Sequence, residues 1–404
     1  MADARISAQE EARLKGLISH RVRFKNRRSF VRIDKLMDRR SFLQSTAALV
    51  AGEFLGCASQ QRSSFAATVA PGRTARAGSP VFASIQAAID AAPAEGTEPY
   101  RIFVAGGRWR EKLTIDKPFI QLIGEDRRGS VVTYDAYAGE AGPDGQPRGT
   151  TGTATITVRA PDFVARNLTI ENSFDHLGYL ARTQGEPTGA NRAQALALML
   201  DDRSDRAYVD RVDIVGYQDT LFANAGRSLF RDCSVSGTVD FVFGAGRAVL
   251  DRCEIVSRYR PGRAKQGYVA APSTPASQEY GLTFMRCRLT REKEVPANSV
   301  SLGRAWRPTR SFADGNYGDP NAVGLAVYLS CWMDEHIEAA GWDAMQYNAR
   351  DGTRVWLKPE DARFYEYDSR GPGARSSVQR RILPAGELSR YEISRVLGGW
   401  SGAE

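Results

Sequence analysis

Two acids stand 21 residues apart, each in a tight setting: Asp219 in Gly216-Tyr217-Gln218-Asp219-Thr220-Leu221, and Asp240 in Gly237-Thr238-Val239-Asp240-Phe241-Val242-Phe243-Gly244. If that spacing is one structural repeat, the carboxylates lie side by side, where both cannot easily be ionised. Such a pair divides into an acid and a base or nucleophile. Arg304, in Leu302-Gly303-Arg304-Ala305-Trp306, is the residue type that holds a carboxylate through a forked hydrogen bond. Gln194 precedes Gln218 by 24 residues, close to one more repeat. Two side-chain amides above a carboxylate nucleophile are the donors an oxyanion needs. Taken singly, each residue has a plainer use: a turn acid, a surface ion pair, a strand-end amide, or core for Phe243 and Trp306. Complementary roles on successive repeats are what point to chemistry.

The remaining composition narrows that chemistry. The 404 residues include only three histidines, His20, His176 and His336, with no GxSxG, HExxH or paired CxxC pattern. A histidine-based triad or a zinc site is therefore a poor fit, and neither metal nor cofactor is expected. The formal charge of +8 is unevenly spread: residues 1–78 carry net +9 and residues 79–404 net −1. The main body thus has no basic excess for nucleic acid. No apolar run reaches the roughly 18 residues of a membrane-spanning helix.

The element that would position these residues is a short repeat. Six segments share the order apolar, two residues, Cys or aliphatic, one residue, aliphatic: Ala165–Ile170, Val209–Ile214, Phe230–Val235, Leu250–Ile255, Phe284–Leu289 and Tyr328–Met333. Their fourth positions fall at 168, 212, 233, 253, 287 and 331, and four of the five steps are 20–22 or its double. That period with β-type alternation predicts an all-β fold, a right-handed parallel β-helix of stacked coils. Adjacent coils about 4.8 Å apart would let Cys233 and Cys253 form a disulfide, with Cys287 and Cys331 as buried thiols. Ser84–Pro93 predicts a short N-terminal helix capping the stack. Ala136–Thr155 reads as a long loop, and the tail from Glu360 as irregular chain along the outside.

The N-terminus reads as an address. Residues 1–36 form a basic extension whose start codon is in question, since Met37 begins Met-Asp-Arg-Arg-Ser-Phe-Leu-Gln, a twin-arginine-like export signal over residues 37–57. Phe54-Leu55-Gly56-Cys57 is a weak lipobox, so Cys57 is a candidate for lipidation and an outer-membrane anchor. Residues 58–79 read as a linker and 80–404 as the catalytic domain. Export from a bacterial cell, to periplasm, outer membrane or medium, follows from this reading.

The ordered segments Gly107–Glu111 (GRWRE), Gln194–Leu198 (QALAL), Gln218–Phe222 (QDTLF), Asp240–Gly244 (DFVFG) and Leu302–Trp306 (LGRAW) resemble the pectin methylesterase (pectinesterase) family, its bacterial branch most closely. The resemblance implies that Asp240 attacks a galacturonate methyl ester, Asp219 serves as acid then base, Gln218 and Gln194 stabilise the oxyanion, and Arg304 orients Asp240. It further implies that Phe243, Trp306, Val239, Phe222 and Thr309 contact methyl-esterified homogalacturonan, that a disulfide joins Cys233 and Cys253, and that the protein acts as a monomer. Trp109, Phe222 and Ala305 depart from the family's usual Tyr, Tyr and Pro, which bears on subsites more than on the reaction. Competing readings are a polyuronate hydrolase or lyase on the same fold, an esterase for another ester or thioester, and a non-catalytic polysaccharide binder.

Overall fold

The computed structural model describes residues 65–70, 72, 78–183 and 192–402. The leader, Cys57 included, lies outside the described residues. Within the described chain, three parallel sheets of 11, 8 and 8 strands run the length of the molecule, and two antiparallel hairpins lie beside them. Successive strands pass from one sheet to the next and then rejoin the first one coil further on. Strand Arg227–Arg231, for example, pairs in register with Arg247–Asp251, one coil later. This is the expected parallel β-helix.

The repeat marks the corner between the first and second sheets. The residue before each fourth position has left-handed backbone: φ is 56° at Asn167, 51° at Arg211, 53° at Asp232, 52° at Arg252, 54° at Arg286 and 51° at Ser330. Asn and Asp accept that conformation more readily than most residues. The turn it makes drives the next side chain inward, and Leu168, Val212, Cys233, Cys253, Cys287 and Cys331 form a buried ladder at most 2% exposed.

The expected disulfide is absent; the four cysteines of the ladder are free thiols. In-register parallel strands carry their Cβ atoms at about the strand spacing, wider than the roughly 3.8 Å typical of a disulfide. The thiols instead donate to main-chain carbonyls, Cys233 Sγ to Arg231 O at 3.3 Å and Cys287 Sγ to Leu250 O at 3.2 Å.

The predicted capping helix is α1, Ile85–Asp90, with Ser84 at its N-cap and Ile85, Ala88 and Ile89 buried over the open end of the core. The Glu111 carboxylate accepts from the Ile85 and Gln86 amides at 2.8 and 3.0 Å, satisfying two donors that the first helical turn leaves unpaired. Two boundaries differ from expectation. Ala67–Val69, inside the predicted linker, is a buried strand paired with Ile102–Val104. Arg363–Tyr367, in the predicted irregular tail, extends the first sheet beside Leu325–Leu329 and places Phe364 in the core. The tail beyond it packs Leu383, Val396 and Leu397 against the outer face of that sheet, as expected. The loop at Ala136–Thr155 contains one 3-10 turn, Thr150–Thr153.

Candidate active site

The third sheet carries the site on its outer face. Strands Leu198–Leu200, Leu221–Ala223, Val239–Gly244, Gly267–Pro272 and Val300–Arg304 lie side by side there. Phe222, Phe243 and Ala271 fall in one row across three of them. Phe222 and Phe243 stack at 4.3 Å with 5° between planes, and Trp306 meets their edges at 6.2 and 5.7 Å.

Both acids leave this row through special backbone. Asp219 has φ 64° in the turn before Leu221–Ala223, and its N–H donates to Val239 O at 3.0 Å, joining the two acidic segments. Asp240 has φ 51° at a bulge: Val239 opposes Tyr268 and Val242 opposes Ala270, so Asp240 and Phe241 share the place of one residue. Phe241 then enters the core and Asp240 turns outward. Bulges in parallel sheets are uncommon and re-aim side chains, and strained backbone of this kind concentrates at functional sites.

Arg304 donates from Nε to Asp240 Oδ1 at 2.9 Å and from Nη2 to Oδ2 at 2.8 Å. This is the forked pairing expected from the sequence. The guanidinium lies over the Tyr268 ring at 3.8 Å; burial acts to lower its pKa, but the charge and hydrogen bond of Asp240, with Tyr268 and Asp343, together raise it. Asp219 is 9% exposed. Burial, with the Asp240 charge adding to it and Arg304 opposing, pushes its carboxyl well above the usual carboxylate range. A carboxyl biased toward its protonated form thus stands beside a carboxylate pinned by arginine.

A cleft of about 400 Å³ brings together Gln194, Gln218, Asp219, Phe222, Asp240 and Phe243 with Arg304 and Trp306. Gln194 Oε1 is buried with no partner among the described residues. Two predicted contacts lie off the lining. Val239 is 8% exposed at the foot of the bulge, and Thr309 is exposed on the hairpin Thr309–Phe312/Gly315–Gly318. Thr150, Thr151, Ala271 and Met345 line the cleft without having been anticipated. Thr150 and Thr151 sit in a Gly-rich loop and Met345 on a late hairpin, none within a repeat that would have placed them.

A profile of the pectinesterase family matches residues 73–386. The chain belongs to the pectinesterase family. With it comes assignment to the carboxylic ester hydrolases. Pectinesterase A of Dickeya dadantii (strain 3937) is 42% identical over 324 residues, 79% of this chain and 88% of the relative. A pectinesterase of Petunia integrifolia is 30% identical over 313 residues, 76% of this chain and 71% of its own length. A solved pectin methylesterase in complex with a hexasaccharide superimposes with a TM-score of 0.80 at 43% identity, covering 84% of this chain and 99% of that one. In this pectinesterase-family chain, Phe222 has no hydroxyl to offer the cleft. Trp109, on Gly107–Arg110, donates Nε1–H to Ala105 O at 3.0 Å, and Glu111 caps α1, so the first motif serves the fold rather than the cleft.

Proposed function

We propose that this chain hydrolyses methyl esters of galacturonate units in pectin, releasing methanol and leaving free carboxylates. The observation that carries this reading is the pairing of an arginine-pinned Asp240 with a buried, proton-holding Asp219 in one cleft. Asp240 attacks the ester carbonyl carbon, and the amides of Gln218 and Gln194 stabilise the oxyanion. As the tetrahedral species collapses, the C–O bond to methoxide breaks and Asp219 delivers its proton, so methanol departs. Asp219, now a carboxylate, takes a proton from water; hydroxide attacks the acyl carbonyl, Asp240 leaves as carboxylate, and Asp219 is again protonated. Arg304 holds Asp240 in one orientation throughout. The aromatic row Phe222, Phe243 and Trp306 supports stacking of sugar rings. Val239 and Thr309 are assigned to contacts with the same substrate.

The reading extends to residues outside those described: an export signal over 37–57 carries the protein out of a bacterial cell, Cys57 is the candidate anchor, and the protein works as a monomer. The test is methanol and proton release from highly methylated homogalacturonan without added calcium, with absorbance followed for unsaturated uronides. Equimolar methanol and acid with no absorbance rise supports an esterase. A rise would indicate lyase chemistry, and silence from folded protein would move the function to another ester or to binding.

A further inference from the structure

Beneath the two glutamines lies a buried aromatic contact that the mechanism above does not use. His176 opens helix α2 (His176–Arg182) and is 1% exposed. Its Nδ1 lies 3.2 Å from Ala193 O, the carbonyl immediately before Gln194. A carbonyl only accepts, so Nδ1 carries the proton. The ring stacks on Tyr217, immediately before Gln218, at 5.2 Å with 7° between planes. On Tyr217 also lies the Arg258 guanidinium, 3.7 Å from the ring centroid, which donates to Gly216 O at 3.0 Å and to Tyr217 Oη at 2.8 Å. Ala195 N donates to Gln218 O at 3.1 Å, tying the same two coils by main chain.

Packing alone does not account for a histidine here. Nε2 is buried with no partner among the described residues, a cost that phenylalanine or leucine would avoid. Burial, with Arg260 and Arg258 nearby adding to it and Asp175 and the Ala193 carbonyl opposing, lowers the ring's pKa from 6.5 to about 4, so the ring is neutral at ordinary pH.

We propose that His176 is a positioning residue: bonded to the main chain before Gln194 and stacked on the residue before Gln218, it braces the two amides at the separation an oxyanion requires. This rests on the oxyanion role given above to Gln194 and Gln218. Replacing His176 should release the loop at Ala193 and let the amides drift, with loss in the transition state and little change in substrate binding.

A double-mutant cycle on the full chain tests it, read as kcat for methanol release from methyl-esterified homogalacturonan, with folding checked by thermal melting. Gln194→Ala should lower kcat about 100-fold, and His176→Ala about 10-fold with KM within about twofold. The double variant His176→Ala/Gln194→Ala should be slowed by clearly less than the product of the two single losses, because one of the two amides His176 acts through is already removed. Multiplying losses, or a loss from His176→Ala confined to KM, would overturn the brace while leaving the oxyanion role intact. An unchanged kcat in Gln194→Ala would overturn the oxyanion role and the brace together. Should His176→Ala not fold, Tyr217→Phe and Tyr217→Leu carry the same test: kcat kept by the ring and lost by leucine supports the brace, and equal effects contradict it.

Discussion

At the residue scale, what distinguishes the two acids is environment. Asp240 meets a two-point arginine clamp, whereas Asp219 is buried with a raised pKa. The raised value has a stability consequence. Asp219 is protonated in the fold but ionised in the unfolded chain once the pH exceeds its ordinary value of 3.8, so it withdraws stability as the pH rises through the interval up to its folded pKa. Asp219→Asn should therefore raise the melting temperature at neutral pH while lowering kcat on the order of 10³-fold, and a lower melting temperature would contradict the burial argument. In the parent enzyme the same proton sets the alkaline limb, since methanol release should fall as Asp219 loses it. The acids and both glutamines were legible in the sequence because their spacings are close to one repeat, and Arg304 because its residue type suits a paired carboxylate. Thr150, Thr151 and Met345 were not, because a loop and a hairpin bring them to the cleft from outside the repeat. Val239 and Thr309, expected only from the resemblance, are not among the residues that line the cleft.

At the element scale, the bulge in Val239–Gly244 and the cap on α1 are the two devices the period does not encode. A one-residue insertion, two residues opposite one, cannot be read from alternation, since Asp240-Phe241-Val242 continues as plausible strand. Glu111 was visible as a motif residue, but its partners are main-chain amides about 25 residues away in sequence, at the opposite end of the strand-and-turn path. Glu111→Ala should leave those two amides unpaired and cost about 1–2 kcal/mol, read by urea unfolding, with kcat unchanged. A loss of kcat with full stability would place Glu111 in the chemistry instead. The cysteine ladder belongs to this scale too. Thiol titration of denatured protein beginning at Ser59 should find all of Cys233, Cys253, Cys287 and Cys331 reactive without reductant, whereas a bond between coils would hide two of them.

At the scale of the whole molecule, the stack concentrates stability in one continuous core that runs from α1 to the tail strand Arg363–Tyr367. Two histidines are buried in or against it. His336 is fully buried with both ring nitrogens unpartnered among the described residues, and burial lowers its pKa, like that of His176, from 6.5 to about 4. Above pH 6.5 both are neutral folded or unfolded and the pH has no hold on them. Between 6.5 and about 4 only the unfolded chain gains the protons, so each should withdraw about 3 kcal/mol over that window and no more below it. Unfolding in urea at pH 7 and pH 4.5 should show a smaller acid loss in His336→Phe than in the parent, and equal losses would contradict the burial of a neutral ring.

Asp240 is the proposed nucleophile, held by Arg304 and served by Asp219. The measurement that meets this role most directly is methanol release from methyl-esterified homogalacturonan by Asp240→Asn beside the parent, both shown to be folded and to bind the substrate. The expected outcome is a fall in kcat on the order of 10⁴-fold or more, with binding retained. Methanol release by Asp240→Asn at a rate near that of the parent would contradict that role.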